Sequence, residues 1–358
     1  MSNIVDYVEK EHATFEEKKL SAVDSLVLSQ LSYVHYDGLV GASPVLLASL
    51  VRNEVKFKAM LRSVRAPGSN ARLLHACAGS RRFGAVRLID YVSVLEPEAE
   101  KQFSAITFML GNGSAYIAFR GTDATLVGWK EDFNMAFKCA VPAQLEGISY
   151  ANQAALRMSG LDLYLGGHSK GGNIAVYAAM ESAHFERIKA VFSHDGPGFC
   201  EQIIARPRFG MVLPMLHKTL PRSSVIGMLL ENHEKYYVVE SSRMGLAQHD
   251  PFSWRVRNGD FIYVHSVSAG SQIVDRTLNA WIGQLSDERR ELFVDALFTI
   301  LESGDAQNMT QARFEPVRMI EAYRGLDAET KAALAQILRT LATIARKNAL
   351  RRETPSPV

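Results

Sequence analysis

Leu161-Asp162-Leu163-Tyr164-Leu165-Gly166-Gly167-His168-Ser169-Lys170-Gly171-Gly172-Asn173-Ile174-Ala175-Val176-Tyr177-Ala178-Ala179 is the stretch that decides the fold. It opens as a short apolar strand, closes as a helix of small residues, and holds Gly167-x-Ser169-x-Gly171 between them. Small residues on both sides of a serine let the chain make a strained strand-to-helix turn that lifts the hydroxyl clear of the backbone. Two glycines and a serine at these offsets arise by chance in roughly one chain of this size in ten, so the flanking strand and helix must carry the reading. They make Ser169 the expected nucleophile; the alternative is an inert serine in a glycine-rich turn.

Working outward, strands are expected over residues 85–94, 105–110 and 115–119, with Gly111-Asn112-Gly113 as a hairpin signal. Helices follow over 129–137 and 143–158. Beyond Ser169 come a helix over 172–183, a strand over 188–192, and apolar runs at 224–230 and 236–239 that would supply the last strands. Such alternation indicates α/β architecture: a mostly parallel sheet with helices on both faces. Upstream, a helix capped by Ser21 and Asp24 is expected over 21–34. Residues 54–82 read as helix and loop over one sheet edge, with a turn at Pro67-Gly68-Ser69-Asn70. Downstream of Gly270 the chain turns helical, ending in a stripe of Leu334, Ile337, Leu338, Leu341 and Ile344. The expected organisation is an N-terminal helical segment (1–82), a core (83–270), a helical C-terminal extension (271–350) and a disordered tail (351–358).

The chain has 358 residues, 47% of them hydrophobic and 22% charged, enough for a sizeable core. With 40 Lys plus Arg against 38 Asp plus Glu, the net charge of +2 gives no reason to expect a nucleic-acid partner. Cys77, Cys139 and Cys200 lack the spacing of zinc sites or disulfide frameworks, so buried reduced thiols are expected. Neither an apolar leader nor a membrane-length apolar run is evident, which implies a cytoplasmic protein with no stable membrane insertion.

An acyl-transfer serine needs donors for the oxyanion: the amide after the nucleophile, here Lys170, and a second from an earlier strand end. Phe119-Arg120-Gly121-Thr122-Asp123 stands at such an end, and Thr122 offers both an amide and a hydroxyl. Phe119-Arg120-Gly121-Thr122, then Trp129 and Asp132, then Gly167-His168-Ser169-x-Gly171-Gly172, resemble the class 3 (fungal-type) lipases over the central part of the chain. A resemblance spanning nearly all of it is to the Mbeg-like family of bacterial α/β-hydrolases, catalogued as a domain of unknown function. It is carried by residues 23–29, 119–137, 166–179, 195–199 and 248–254. It implies the α/β-hydrolase fold, in which the acid and then the histidine follow the serine.

Six histidines follow Ser169: His184, His194, His217, His233, His249 and His265. His249 is the expected general base, lying in a polar loop beyond the 236–239 strand in a setting similar to the end of the lipase pattern; His265 sits in an apolar strand and reads as structural. Class 3 lipases place an Asp where this chain reads His217-Lys218-Thr219-Leu220-Pro221, so the acid must lie elsewhere. Asp195, at the end of the 188–192 strand, is the first choice and Glu231 the reserve; as an alternative, Asp195 caps the Gly196-Pro197-Gly198 bend. Residues 201–230, rich in Met, Leu, Ile and Pro, would form a lid or acyl-binding wall. The expected activity is cleavage of a small-molecule acyl ester, lipid esters included, or thioester through a Ser169 acyl-enzyme, without metal or organic cofactor. The competing expectation is a catalytically silent ligand-binding or interaction module of the same fold.

Overall fold

The computed structural model describes residues 2–123, 125–230, 234–303 and 316–350. Among them the central sheet has nine strands, in the order β1 (Val45–Leu46), β2 (Arg87–Glu96), β3 (Lys101–Met109), β4 (Ser114–Phe119), β5 (Asp162–His168), β6 (Ile188–His194), β7 (Leu216–Pro221), β8 (Tyr236–Val239) and β11 (Tyr263–Val264). The small pair β9 (Val256–Arg257) and β10 (Asp260–Phe261) lies apart. Pairing is antiparallel from β1 to β4, parallel from β4 to β8, and antiparallel again at β11. The β3–β4 hairpin turns where expected, with Gly111 and Gly113 at φ +88° and +76°.

A parallel series whose order runs straight through β4 to β8, joined by right-handed crossovers, throws its connecting helices onto one face. That face holds α6 (Pro142–Arg157), α7 (Lys170–Glu181), α8 (Glu201–Ile204) and α9 (Pro207–Val212), packed on Ile117, Phe119, Leu163, Leu165 and Val191. The other face would lie bare without the N-terminal segment. There α1 (Ile4–Lys10), α2 (Ala22–Leu31) and α4 (Pro67–Gly79) cover Leu88, Ile106, Phe108, Tyr116 and Phe192. Val23, Leu26, Val27, Leu28 and Leu31 of α2 are fully buried, each contributing about 1.5–3 kcal/mol relative to exposure. The expected Ser21–Asp24 capping box is present.

Several expectations need correction. Residues 54–82 form α3 (Glu54–Met60) and α4, which packs with α1 and α2 over a face rather than an edge. Pro67-Gly68-Ser69-Asn70 is the first turn of α4, with Pro67 at a position where its missing N–H costs nothing. The run 224–230 is no strand; residues 226–228 make a single 3₁₀ turn, and the strand is β7. Buried Lys218, paired with Glu234 at 2.6 Å, made β7 look polar. Cys139 and Cys200 form a disulfide across 61 residues of sequence, and only Cys77 is a buried free thiol. A separation that long carries no spacing signal; the fold alone brings the two Cα atoms to 6.4 Å.

The C-terminal helices α10 (Ala269–Gly283), α11 (Asp287–Glu302), α12 (Pro316–Gly325) and α13 (Ala328–Leu350) build a second layer above the site. Trp281, Leu285, Ile337 and Ile344 form its core, and Val294 and Phe298 lock it onto Leu126 and Trp129 of α5 (Leu126–Asn134). Four of the five residues of the expected α13 stripe face inward, whereas Leu338 is 53% exposed. Among the described residues no helix is long and apolar enough to cross a membrane. The tail 351–358, Glu231 and His233 lie outside the described residues.

Candidate active site

Ser169, Asp195 and Thr122 stand just past the carboxyl ends of β5, β6 and β4, and His249 meets Asp195 there, where an open α/β sheet leaves its crevice. Ser169 follows β5 directly and caps α7 with φ +58° and ψ −134°, a conformation that costs a non-glycine residue about 1–3 kcal/mol. Its backbone N–H donates to the His194 carbonyl (2.9 Å), and the Asp195 N–H donates to Thr219 O (2.8 Å), so the ends of β5, β6 and β7 are tied together. The elbow packs too closely for side chains: a Cβ on Gly171 would collide with the Phe119 carbonyl, and one on Gly121 would lie 3.1 Å from Ser169 Cβ.

Asp195 is fully buried and also has a positive φ, +52°. Its Oδ2 lies 2.6 Å from His249 Nδ1, while Oδ1 accepts from Ser224 Oγ (2.5 Å) and the Gly227 N–H (3.2 Å). With Nδ1 so engaged, Nε2 is the nitrogen His249 has left for a partner. The His249 loop is held by Gln248, whose side chain spans from the Ser223 N–H to the Arg243 carbonyl and whose own carbonyl accepts from Trp254 Nε1 (2.9 Å). Ser169, His249, Thr122 and Lys170 all border one cavity of about 780 Å³.

Lys170 sits at the first position of α7, where a backbone N–H has no intrahelical acceptor and is free for an anion. Its side chain turns the other way. The buried Nζ donates to Glu131 Oε2 and the Gln102 carbonyl, both at 2.8 Å, and Glu131 also accepts from the Gln102 and Ala143 N–H groups. The elbow helix is thus bolted to α5 by a buried ion pair. Thr122 lines the cavity and commits its hydroxyl to Asp132 (2.5 Å), which leaves its amide as the donor it has to offer an oxyanion. Burial raises the Asp132 carboxyl to about 6, against the lowering effects of Lys170 and the Thr122 hydrogen bond.

Two residues that sequence reasoning passed over complete the arrangement. His168 lies inside the elbow motif, with Nε2 2.8 Å from the His249 carbonyl and Nδ1 3.1 Å from the Tyr33 hydroxyl. A carbonyl only accepts, so Nε2 carries the proton and Nδ1 receives the Tyr33 O–H. Burial, and then the neighbouring His249 and His194, hold His168 well below the usual histidine range, which keeps it neutral. Its ring lies 4.4 Å from that of His249. His194 is likewise neutral, pushed by burial to about 3, and bonds Ser25 Oγ and Thr219 Oγ1. Tyr33 offered no sequence signal; His168 lay at a position the elbow pattern leaves open. His265 is exposed just past β11, remote in role from the cavity lining.

The cavity walls are mainly apolar. Val225, Ile226, Leu229 and Leu230 supply one side, so the end of the expected wall segment is there, but α8 and α9 of that segment pack beneath α7. The roof comes instead from α10 and α11 through Leu278, Trp281 and Phe293, with Leu285 from the turn between them. Among the described residues no cluster of His, Cys, Asp and Glu could hold a metal ion.

A sequence profile described as Mbeg1-like matches residues 77–299. No curated protein sequence matches the chain significantly. Among solved structures, a fungal lipase in complex with an inhibitor aligns at 12% identity over 62% of this chain and 79% of its own, with a TM-score of 0.40. The lipase of Rhizomucor miehei with its propeptide aligns at 14% identity over 60% and 66%, TM-score 0.39. A lipase from Yarrowia lipolytica aligns at 12% identity over 55% and 77%, TM-score 0.33.

Proposed function

The chain belongs to the Mbeg1-like family, and from that premise we propose that it is a serine hydrolase cleaving a carboxylic ester or thioester with an apolar acyl group. The observation that carries this reading is the 2.6 Å contact between Asp195 and His249 beside a serine held on a strained strand-to-helix turn. Nothing in pure packing calls for two adjacent left-handed non-glycine residues, Ser169 and Asp195, at neighbouring strand ends. In the proposed reaction His249 Nε2 takes the proton as Ser169 Oγ adds to the acyl carbon, and Asp195 holds the Nδ1–H and stabilises the imidazolium. The amides of Lys170 and Thr122 receive the oxyanion. His249 returns the proton to the departing alkoxide or thiolate, and water attacking the acyl-enzyme by the same relay releases the acid.

A second reading, a binding module without turnover, draws on the largely apolar cavity and on Ser169 being only 8% exposed. Hydrolysis of p-nitrophenyl esters from acetyl to palmitoyl, with Ser169→Ala as control and fluorophosphonate labelling of the serine, decides between them. Turnover and labelling that both vanish in Ser169→Ala support the hydrolase. A folded wild type that neither turns over any ester nor labels supports the module.

A further inference from the structure

The cavity has two chemically different ends. One is lined by Trp129, Phe133, Phe137, Trp281 and Phe293; the other holds Tyr33, His35, Arg65 and Arg120. Arg120 is 3% exposed, yet its guanidinium is poorly compensated. Its Nη2 lies 3.4 Å from Ser93 Oγ and 3.5 Å from Asp123 Oδ2, and among the described residues Nε and Nη1 have no hydrogen-bond partner.

Other buried cations of the chain are treated differently. Arg82 makes two 2.8 Å bonds to Asp24 and reaches the carbonyls of Ala13, Thr14, Lys18 and Lys19. Lys170 has Glu131 and the Gln102 carbonyl. A guanidinium withdrawn from water and left with long contacts is costly unless an anion completes its shell. The acidic groups nearby do so only in part. Asp123 spends Oδ1 on the Thr125 N–H and hydroxyl, and Asp132 accepts the Thr122 hydroxyl. Arg65 adds a second, exposed cation to this end of the cavity, and His35 is held neutral by burial and by Arg120 itself.

Arg120 also stands one residue before Gly121, where an added Cβ would lie 3.1 Å from Ser169 Cβ. Arg120 and Ser169 line the same cavity, so an anion held by the first can belong to an ester attacked by the second. We propose that the Arg120 end of the cavity binds the anionic head group, phosphate or carboxylate, of an acyl ester whose acyl chain fills the aromatic end. This rests on the serine-hydrolase reading and narrows it to esters whose alcohol part is acidic.

The test compares three esters of one acyl chain, kept below their critical micelle concentrations: monodecanoylglycerol, its phosphate monoester, and the decanoyl ester of glyceric acid. Wild type is expected to prefer an acidic ester to the neutral one by about ten-fold or more in kcat/KM, the scale of one charge-assisted pair. Whichever acid is preferred identifies the head group. Arg120→Gln and Arg120→Lys should reduce that preference, Gln the more severely, and Arg65→Gln should reduce it by a smaller factor and make it less sensitive to salt. Equal or better turnover of monodecanoylglycerol by wild type overturns the proposal without any variant. Should no ester turn over, titration calorimetry of Ser169→Ala with the same three compounds still reads the subsite. Preferential binding of an acidic one sustains it while the hydrolase reading fails, and equal affinity for all three ends both the subsite and its head-group assignment.

Discussion

Replacing Asp195 with Asn puts the proposed acid to the sharpest test, because the structure dictates which way the amide must point. Oδ1 of Asp195 takes two donors, the Ser224 hydroxyl and the Gly227 N–H, and Oδ2 takes one, His249 Nδ1. An Asn side chain keeps its oxygen where two donors converge, which presents its NH2 to Nδ1. Two donors then face each other, and the imidazole relieves the clash by moving its proton to Nε2. That nitrogen now donates toward Ser169 and cannot take its proton. The expected loss in kcat is on the order of 10⁴, about 5 kcal/mol of barrier, the cost of a wrong tautomer in a serine triad. The shape is unchanged, so the fold loses only a charge-assisted bond, about 1–3 kcal/mol of stability. Burst kinetics on the best p-nitrophenyl ester, with circular dichroism to show a native fold, measure both. A folded Asp195→Asn protein within ten-fold of wild-type kcat would refute the assignment and send the search for the acid to Glu231.

Three further expectations follow from the surroundings of the site. Glu131→Ala strands the Lys170 ammonium and removes the acceptor of two buried amides, so urea unfolding should show a loss of about 3–5 kcal/mol or more; the pair Glu131→Gln with Lys170→Met, which removes both charges, should recover over half of it, and a double variant as unstable as Glu131→Ala would contradict the bolt. The Asp132 carboxyl, raised to about 6 from 3.8, holds its proton more tightly folded than unfolded, so its contribution to stability falls as pH rises through that window. Asp132→Asn should therefore gain on wild type between about pH 4 and about pH 6, by up to about 3 kcal/mol and less where water in the cavity solvates the carboxylate, and a pH-independent difference would show that burial does not raise this group. Phe293→Ala enlarges the aromatic end of the cavity, so the optimum in the p-nitrophenyl ester series should move to longer acyl chains; an unmoved optimum would mean the chain lies elsewhere.

Local chemistry explains which parts of this molecule could be read in advance. The elbow, the hairpin at Gly111–Gly113 and the Ser21–Asp24 cap each depend on residues within a few positions of one another, so composition at fixed offsets reveals them. Strand β7 was missed because its buried Lys218 is neutralised by Glu234, a partner 16 residues on, just before β8, that periodicity does not register. The disulfide was missed for the same reason at longer range.

The site divides along the same line. Ser169, Asp195 and His249 were singled out by position relative to strands, and the structure brings Asp195 and His249 into contact across 54 residues of sequence. What was illegible is the matter that holds them. The neutral ring of His168 fixes the His249 backbone from inside the elbow, and Tyr33 fixes His168 from the N-terminal segment. The roof from α10 and α11 was read as an appendage because its apolar stripes show that a helix is covered without saying what it covers. Sequential parallel strands joined by right-handed crossovers leave one sheet face and the carboxyl-end crevice uncovered, and the N-terminal and C-terminal helical segments lie over these two surfaces. The first covers the face under the sheet, and the second lines the crevice beside Ser169 with aromatic rings, which sets the apolar character of whatever the serine meets.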